Sequence, residues 1–258
     1  MSPLTLNSPS QQPPEDFAQL LESLASRPQP AVVHYDAETG DRVELSGRVL
    51  ANWAIKLIGL LRDEYDIEDE PVGESRPLVV LDMATHWKAA ALVLAASALG
   101  AEVQMMPSAD DAAEVLRASL VVTDHPSAWL DSEALGEADL AVISHGMLDA
   151  SFTDATGLEI PAWVLDISAE VRQHPDQLNA PLPGVPLPNT PQEPTPQQPT
   201  PQQPTPQQPS SPMVVTAWAK DTAQTLLQTW AQQGTVVLFQ GAPEGETWKQ
   251  MLNNEGLA

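Results

Sequence analysis

Cysteine is absent from the sequence, so disulfides, thiolate nucleophiles and Cys-ligated zinc or iron–sulfur sites are excluded together. Positive charge is scarce. Eleven Lys and Arg stand against thirty-five Asp and Glu, a formal charge of -24 that repels phosphate backbones and anionic lipid and argues against a nucleic-acid partner. Long hydrophobic runs are missing too. The most apolar stretch, "AAALVLAASALG" at residues 89–100, falls well short of the ~20 residues that cross a bilayer, so it reads as a buried helix and no membrane insertion is expected. The start, "MSPLTLNSPSQQPPEDF", has neither the basic residues nor the apolar core of a secretory signal, and a cytoplasmic location is the expectation.

What is present reads as α/β. Residues 31–35 and 42–45 are strand-like runs around the turn-forming "DAETGD" and predict a hairpin. Ser46 is placed to cap a helix over "SGRVLANWAIKLIGLLRDEY", whose apolar stripe runs through Val49, Leu50, Trp53, Ala54, Leu57, Ile58 and Leu61. "PLVVLDM" at 77–83 is aliphatic without polar alternation, the pattern of a strand covered on both faces. Thr85 then reads as the cap of "HWKAAALVLAASAL", which Gly100 ends. "AEVQMM" and "SLVVTD" supply two more strands, with a polar helix between them at 110–117. "DLAVISH" reads as a further strand and "PAWVLDISAEVRQH" as a helix opening at Pro161. Strands and helices in alternation predict a mostly parallel sheet with helices on both faces.

Residues 190–209 are four near-copies of one unit, "TPQEPTPQQPTPQQPTPQQP". Pro at this density favours extended, hydrated polyproline II, and at ~3.1 Å per residue such a segment spans on the order of 60 Å. Its flanks carry no Lys or Arg, so a spacer fits better than a peptide ligand for an aromatic groove. The expected organisation is a flexible N-terminus at 1–14, an α/β domain at 15–178, a disordered Pro/Gln-rich linker at 179–212, and a helix–strand–helix segment at 213–258 that docks on the domain.

The order hairpin, long amphipathic helix, "RPLVVLDMATHWKAAALVLAASALGAEVQMMP" and "ASLVVTDHP" resembles the N-terminal subdomain of the AMP-forming acyl-CoA synthetase and adenylation-domain superfamily. The C-terminal "LLQTWAQQGTVVLFQGAPEGETWKQMLNNEGLA" is similar to a later segment of the same enzymes, and the two pieces together resemble short actinobacterial relatives of AMP-binding enzymes. Those ligases hold ATP phosphates on a Ser/Thr/Gly-rich loop ending in Lys, a composition that this sequence lacks. The resemblance therefore implies a protein without the phosphate loop or the mobile C-terminal catalytic domain. It would bind an unidentified small molecule or protein, with no cofactor and no catalytic residue assigned. The alternatives are a residual or split acyl ligase completed by a partner, and a scaffold acting through the repeat.

Candidate site residues are few. His34, His86, His125, His145 and His174 are scattered along the chain without paired-ligand spacing, so no metal site is expected. Ser144 and His145 are adjacent and would point to opposite faces of a strand, which argues against a nucleophile–base pair. "DEYDIEDE" at 63–70 lacks calcium-loop spacing and reads as a solvated connector. The strongest position is "DMATHWK", which leaves a central strand and opens a helix. In open parallel sheets that edge holds ligands, and Asp82, Thr85 and His86 are the candidates there.

Overall fold

The computed structural model describes residues 13–65, 67, 76–106, 115, 117–188 and 211–258. The repeat, most of the proposed 110–117 helix, the first twelve residues and most of the acidic connector lie outside them.

The first helix is one the sequence reading passed over. Asp16 accepts from the backbone N–H of Gln19 at 2.8 Å and starts α1 (Phe17–Ala25), which buries Phe17, Leu20, Leu21 and Leu24 at helical spacing. The expected hairpin follows as β1 (Pro30–Asp36) and β2 (Arg42–Ser46), antiparallel, with the Asp36 carboxylate accepting from the N–H groups of Glu38 and Thr39 in the turn. Ser46 Oγ accepts from Val49 N at 3.3 Å and caps α2 (Gly47–Tyr65).

Five strands make one wholly parallel sheet in the order β4-β3-β5-β6-β7: β3 (Leu78–Asp82), β4 (Glu102–Met105), β5 (Leu120–Thr123), β6 (Asp139–Val142) and β7 (Leu165–Asp166). α3 (Trp87–Ala98) connects β3 to β4. The stretch read as a helix from Pro161 is corrected: it forms β7 first, and a short α5 (Ile167–Glu170) follows. The cause is Asp166, whose Oδ1 accepts from Ser168 N and Ala169 N and so places the helix start six residues later. Its Oδ2 accepts from Phe152 N at the start of α4 (Phe152–Thr156).

The second sheet joins distant parts of the chain in the order β2-β1-β9-β8, where β8 is Met213–Val215 and β9 is Val236–Gln240. β9 lies between β1 and β8 and runs parallel to both. The C-terminal segment is thus strand–helix–strand–helix rather than helix–strand–helix, with α6 (Thr222–Ala231) between β8 and β9 and α7 (Gly245–Asn254) last. Three residues beside Pro212 are too short a run for β8 to stand out in the sequence.

The alternation of strand residues between separate cores sets the layers. Val79, Leu81, Val122 and Ala141 share one apolar core with Val32, Val236, Leu238 and the inner faces of α1, α2, α3 and α6. The other faces of the five-stranded sheet pack with Trp129 and Phe152, and those of the four-stranded sheet pack with Met251 of α7. α3 lies in the central core with eleven of its twelve residues buried, which suits an Ala-rich helix that has no polar face. Before the repeat, residues 180–187 lie against this body. Arg62 donates to the carbonyls of Ala180 and Pro181, Leu187 N donates to Glu15 O, and Leu182 and Val185 touch the central core.

Candidate functional site

Parallel strands end together. The residues that follow β3, β5 and β6 therefore meet at one edge: Asp82 closes β3, Asp124 and His125 follow β5, and Ser144 and His145 follow β6. His125 Nε2 lies 2.9 Å from Asp82 Oδ2 and its Nδ1 lies 2.6 Å from Asp124 Oδ1. Asp124 Oδ2 takes His145 Nε2 at 2.7 Å and the backbone N–H of Ala84 at 2.8 Å. Trp129 Nε1 donates to Asp82 Oδ2 at 2.7 Å. The chain His145–Asp124–His125–Asp82–Trp129 thus knits three strand ends together.

Electrostatics follow from this geometry. Hydrogen bonds to Asp124 and then Asp82 raise the His125 imidazole to about 10, against the effect of burial, so it stays protonated at neutral pH. Asp124 is held well below the usual carboxylate range: burial opposes ionisation, and the hydrogen bonds from His125, His145 and Ala84 outweigh it. His86 stacks on His145 with ring centroids 4.6 Å apart and meets His34 edge-on at 4.5 Å. Burial lowers both, His34 to about 4 and His86 further, with neighbouring imidazoles adding to the shift, so both rings are neutral at pH 7. His34 Nε2 and Gln240 Oε1 are buried with no hydrogen-bond partner among the described residues.

Four of the five histidines therefore converge, although they are scattered along the chain. The signal for His86, His125 and His145 is the shared parallel edge, not residue spacing, while His34 reaches them from β1 of the other sheet. Among the described residues, no group of three His, Asp or Glu side chains is arranged to hold a metal ion. Ser144 and His145 turn to different partners, Ser144 Oγ to Ser168 Oγ at 2.8 Å and His145 to Asp124, and they do not form a nucleophile–base pair.

Each of the three candidates is buried. Asp82 is 6 % exposed and occupied by His125 and Trp129, Thr85 is 8 % exposed with its backbone against His34, and His86 is 3 % exposed. The cap of α3 is His86 rather than Thr85. Its Nδ1 accepts from Lys88 N at 3.2 Å, because the helix begins at Trp87. Trp218 closes the loop beyond β3 by donating its indole N–H to the carbonyls of Met83 (2.8 Å) and Ala84 (3.1 Å). Lys88, unassigned in the sequence reading, is 2 % exposed; its ammonium donates to the carbonyls of Ser144 (2.5 Å) and Gly146 (2.9 Å), and burial lowers its pKa to about 8. The edge carries a proton-sharing network whose two carboxylates are already engaged by imidazoles, while the nearby Ser144 hydroxyl is taken up by Ser168 rather than by an imidazole.

An α/β body with one all-parallel sheet, a second sheet and a buried Ala-rich helix between them is an acyl-CoA-synthetase-like fold. An acyl-CoA synthetase of Brucella canis superposes with a TM-score of 0.64 at 13 % identity, over 96 % of this chain and 48 % of that one. The acetoacetyl-CoA synthetase of Streptomyces lividans gives 0.58 at 15 % identity, over 88 % of this chain and 38 % of that one. In sequence, the chain is similar to a TIGR03089 family protein of Mycobacterium tuberculosis, 36 % identical over 149 residues. The match takes in 58 % of this chain and 55 % of that protein, so the chain spans about half the length of that relative. No protein-family model matches the chain.

Proposed function

We propose that this protein is a non-catalytic relative of adenylate-forming enzymes that acts by binding a small molecule or a protein. The carrying observation is the filled sheet edge. Trp218, Trp129 and the His–Asp network occupy the place where an open α/β sheet receives its ligand. The sequence supports this reading, since none of its four lysines, Lys56, Lys88, Lys220 and Lys249, ends a Ser/Thr/Gly-rich loop. A cytoplasmic setting agrees with the cysteine-free composition; among the described residues no helix is long and apolar enough to cross a membrane.

ATP–pyrophosphate exchange across a panel of carboxylic acids tests the reading. No exchange above background is expected, and Mg-ATP should leave the melting temperature unchanged, whereas a ligand at a hundred times its Kd would add about 2.7 kcal/mol. Acid-dependent exchange by the purified chain would overturn it. A split enzyme completed by another polypeptide is the second reading. It is favoured by large apolar side chains left in solvent after β6, Leu148 at 85 % and Trp163 at 57 % exposure. It expects exchange in extract containing the chain and none in extract from a deletion strain.

A further inference from the structure

A hollow of about 290 Å³ lies between α2 and the turn after α5, lined by Val49, Asn52, Trp53, Lys56, Val171 and Arg172, none of which belongs to the His–Asp network. Positions 49, 52, 53 and 56 are spaced i, i+3, i+4, i+7 and form one stripe of α2, while Leu50, Ala54, Leu57, Ile58 and Leu61 face the core. The hollow is therefore walled by residues that a helix ordinarily gives to water, yet two of them are Val49, 38 % exposed, and Trp53. The indole of Trp53 is held in place. It meets Trp87 edge-on at 5.0 Å, with the Lys88 ammonium 5.9 Å from its ring centre.

Both cations of the hollow are anchored without being neutralised. Lys56 Nζ donates to the carbonyl oxygen of His174 at 2.6 Å, and Arg172 donates to the carbonyl oxygen of Asp149. Neither makes an ion pair with a carboxylate among the described residues, although the chain carries thirty-five acids. Two oriented cations beside a fixed aromatic face and two valines complement a molecule that is anionic at one end and apolar at the other. The volume lies at the small end of the ~300–1,000 Å³ typical of ligand sites, which suits a single ring or a short aliphatic chain.

We propose that this hollow binds a small amphipathic anion, with its acidic group between Lys56 and Arg172 and its body on Trp53 against Val49 and Val171. The inference rests on the binding function proposed above and supplies its ligand class. The two fail separately, because exchange assays report catalysis and the titration below reports occupancy. The full chain is titrated with benzoate, benzenesulfonate and phenyl phosphate while the indole N–H signals are followed by NMR, the Trp53 signal being assigned with Trp53→Phe. At least one of these anions should shift the Trp53 signal saturably, at least tenfold more tightly than benzyl alcohol or acetate, and which one binds identifies the acidic group. Arg172→Gln and Lys56→Gln should each weaken binding about tenfold or more. Val49→Trp fills the hollow, leaves both charges in place and should abolish binding; its partly exposed site keeps folding intact. Binding of benzyl alcohol or acetate as tight as that of the anions, shifts confined to Trp129 or Trp218, full binding by Val49→Trp, or no saturable shift with any of the three would each overturn the proposal.

Discussion

Lys88→Met tests the energetics of the buried ammonium. Lys88 is 2 % exposed and its pKa falls from 10.5 to about 8, chiefly through burial. Below pH 8 both the folded and unfolded chains hold the proton, and the folded state carries the full penalty, about 3 kcal/mol for a shift of this size. Between pH 8 and 10.5 the folded state releases its proton first, so the penalty disappears and stability rises with pH. The methionine variant has no such term. It does strand the carbonyls of Ser144 and Gly146, which lose their donor at a cost of about 1–3 kcal/mol each. At pH 7 losses and gains nearly cancel, and at pH 10.5 the variant should be the less stable protein by several kcal/mol. Urea denaturation of both proteins at pH 7, 9 and 10.5 gives the difference directly. Tyr35 and Tyr65, whose pKa values burial raises, contribute equally to both and drop out. A stability difference that stays flat from pH 7 to 10.5 would refute the reasoning.

His125→Gln should have the opposite pH signature. The raised His125 pKa stabilises the fold below pH 6.5, and that contribution is lost as pH climbs through about 10; melts from pH 6 to 10 should fall for the parent and stay flatter for the variant. Trp218→Phe removes the donor to the Met83 and Ala84 carbonyls and should cost about 1–3 kcal/mol in chemical denaturation. Ala95→Leu puts bulk into α3 at a fully buried position and should cost about 1–3 kcal/mol by the same measurement, with no loss if α3 were not enclosed. Removing residues 195–204, two units of the repeat, should change stability by less than about 1 kcal/mol, since halving a loop alters its closure entropy by only about 0.6 kcal/mol; a larger loss would show the repeat to be more than a spacer.

Elements with strong local patterns were legible in the sequence. The aliphatic runs of β3 and β5 and the Ala-rich, mostly apolar α3 announced a doubly covered sheet and a buried helix. What escaped depended on contacts distant in sequence. β7 and β8 are two and three residues long and exist through pairing with neighbours that no window contains. In the α2 stripe Val49 fits helical spacing yet is exposed and lines the hollow, because an apolar count cannot tell a core face from a pocket wall. Trp53, by contrast, lines the hollow and also packs against the central core. At the sheet edge Asp82 and His86 were found through the position of their loop, while Asp124, His125 and His145 were missed individually although each follows a strand of the same sheet.

Interleaving the C-terminal β9 between β1 and β8 bears on how the protein is made. Val33 pairs with Val237, so β1 waits for a partner synthesised roughly two hundred residues later, about 10–40 s at ordinary translation rates. Until then one border of the nascent hairpin displays free amides and carbonyls to any passing strand. The five-stranded sheet, whose strands all lie between residues 78 and 166, is complete well before the ribosome reaches β9. The order of synthesis therefore separates the two sheets: every strand of the five-stranded one is made before the repeat, while the four-stranded one cannot close until the chain beyond the repeat has been made.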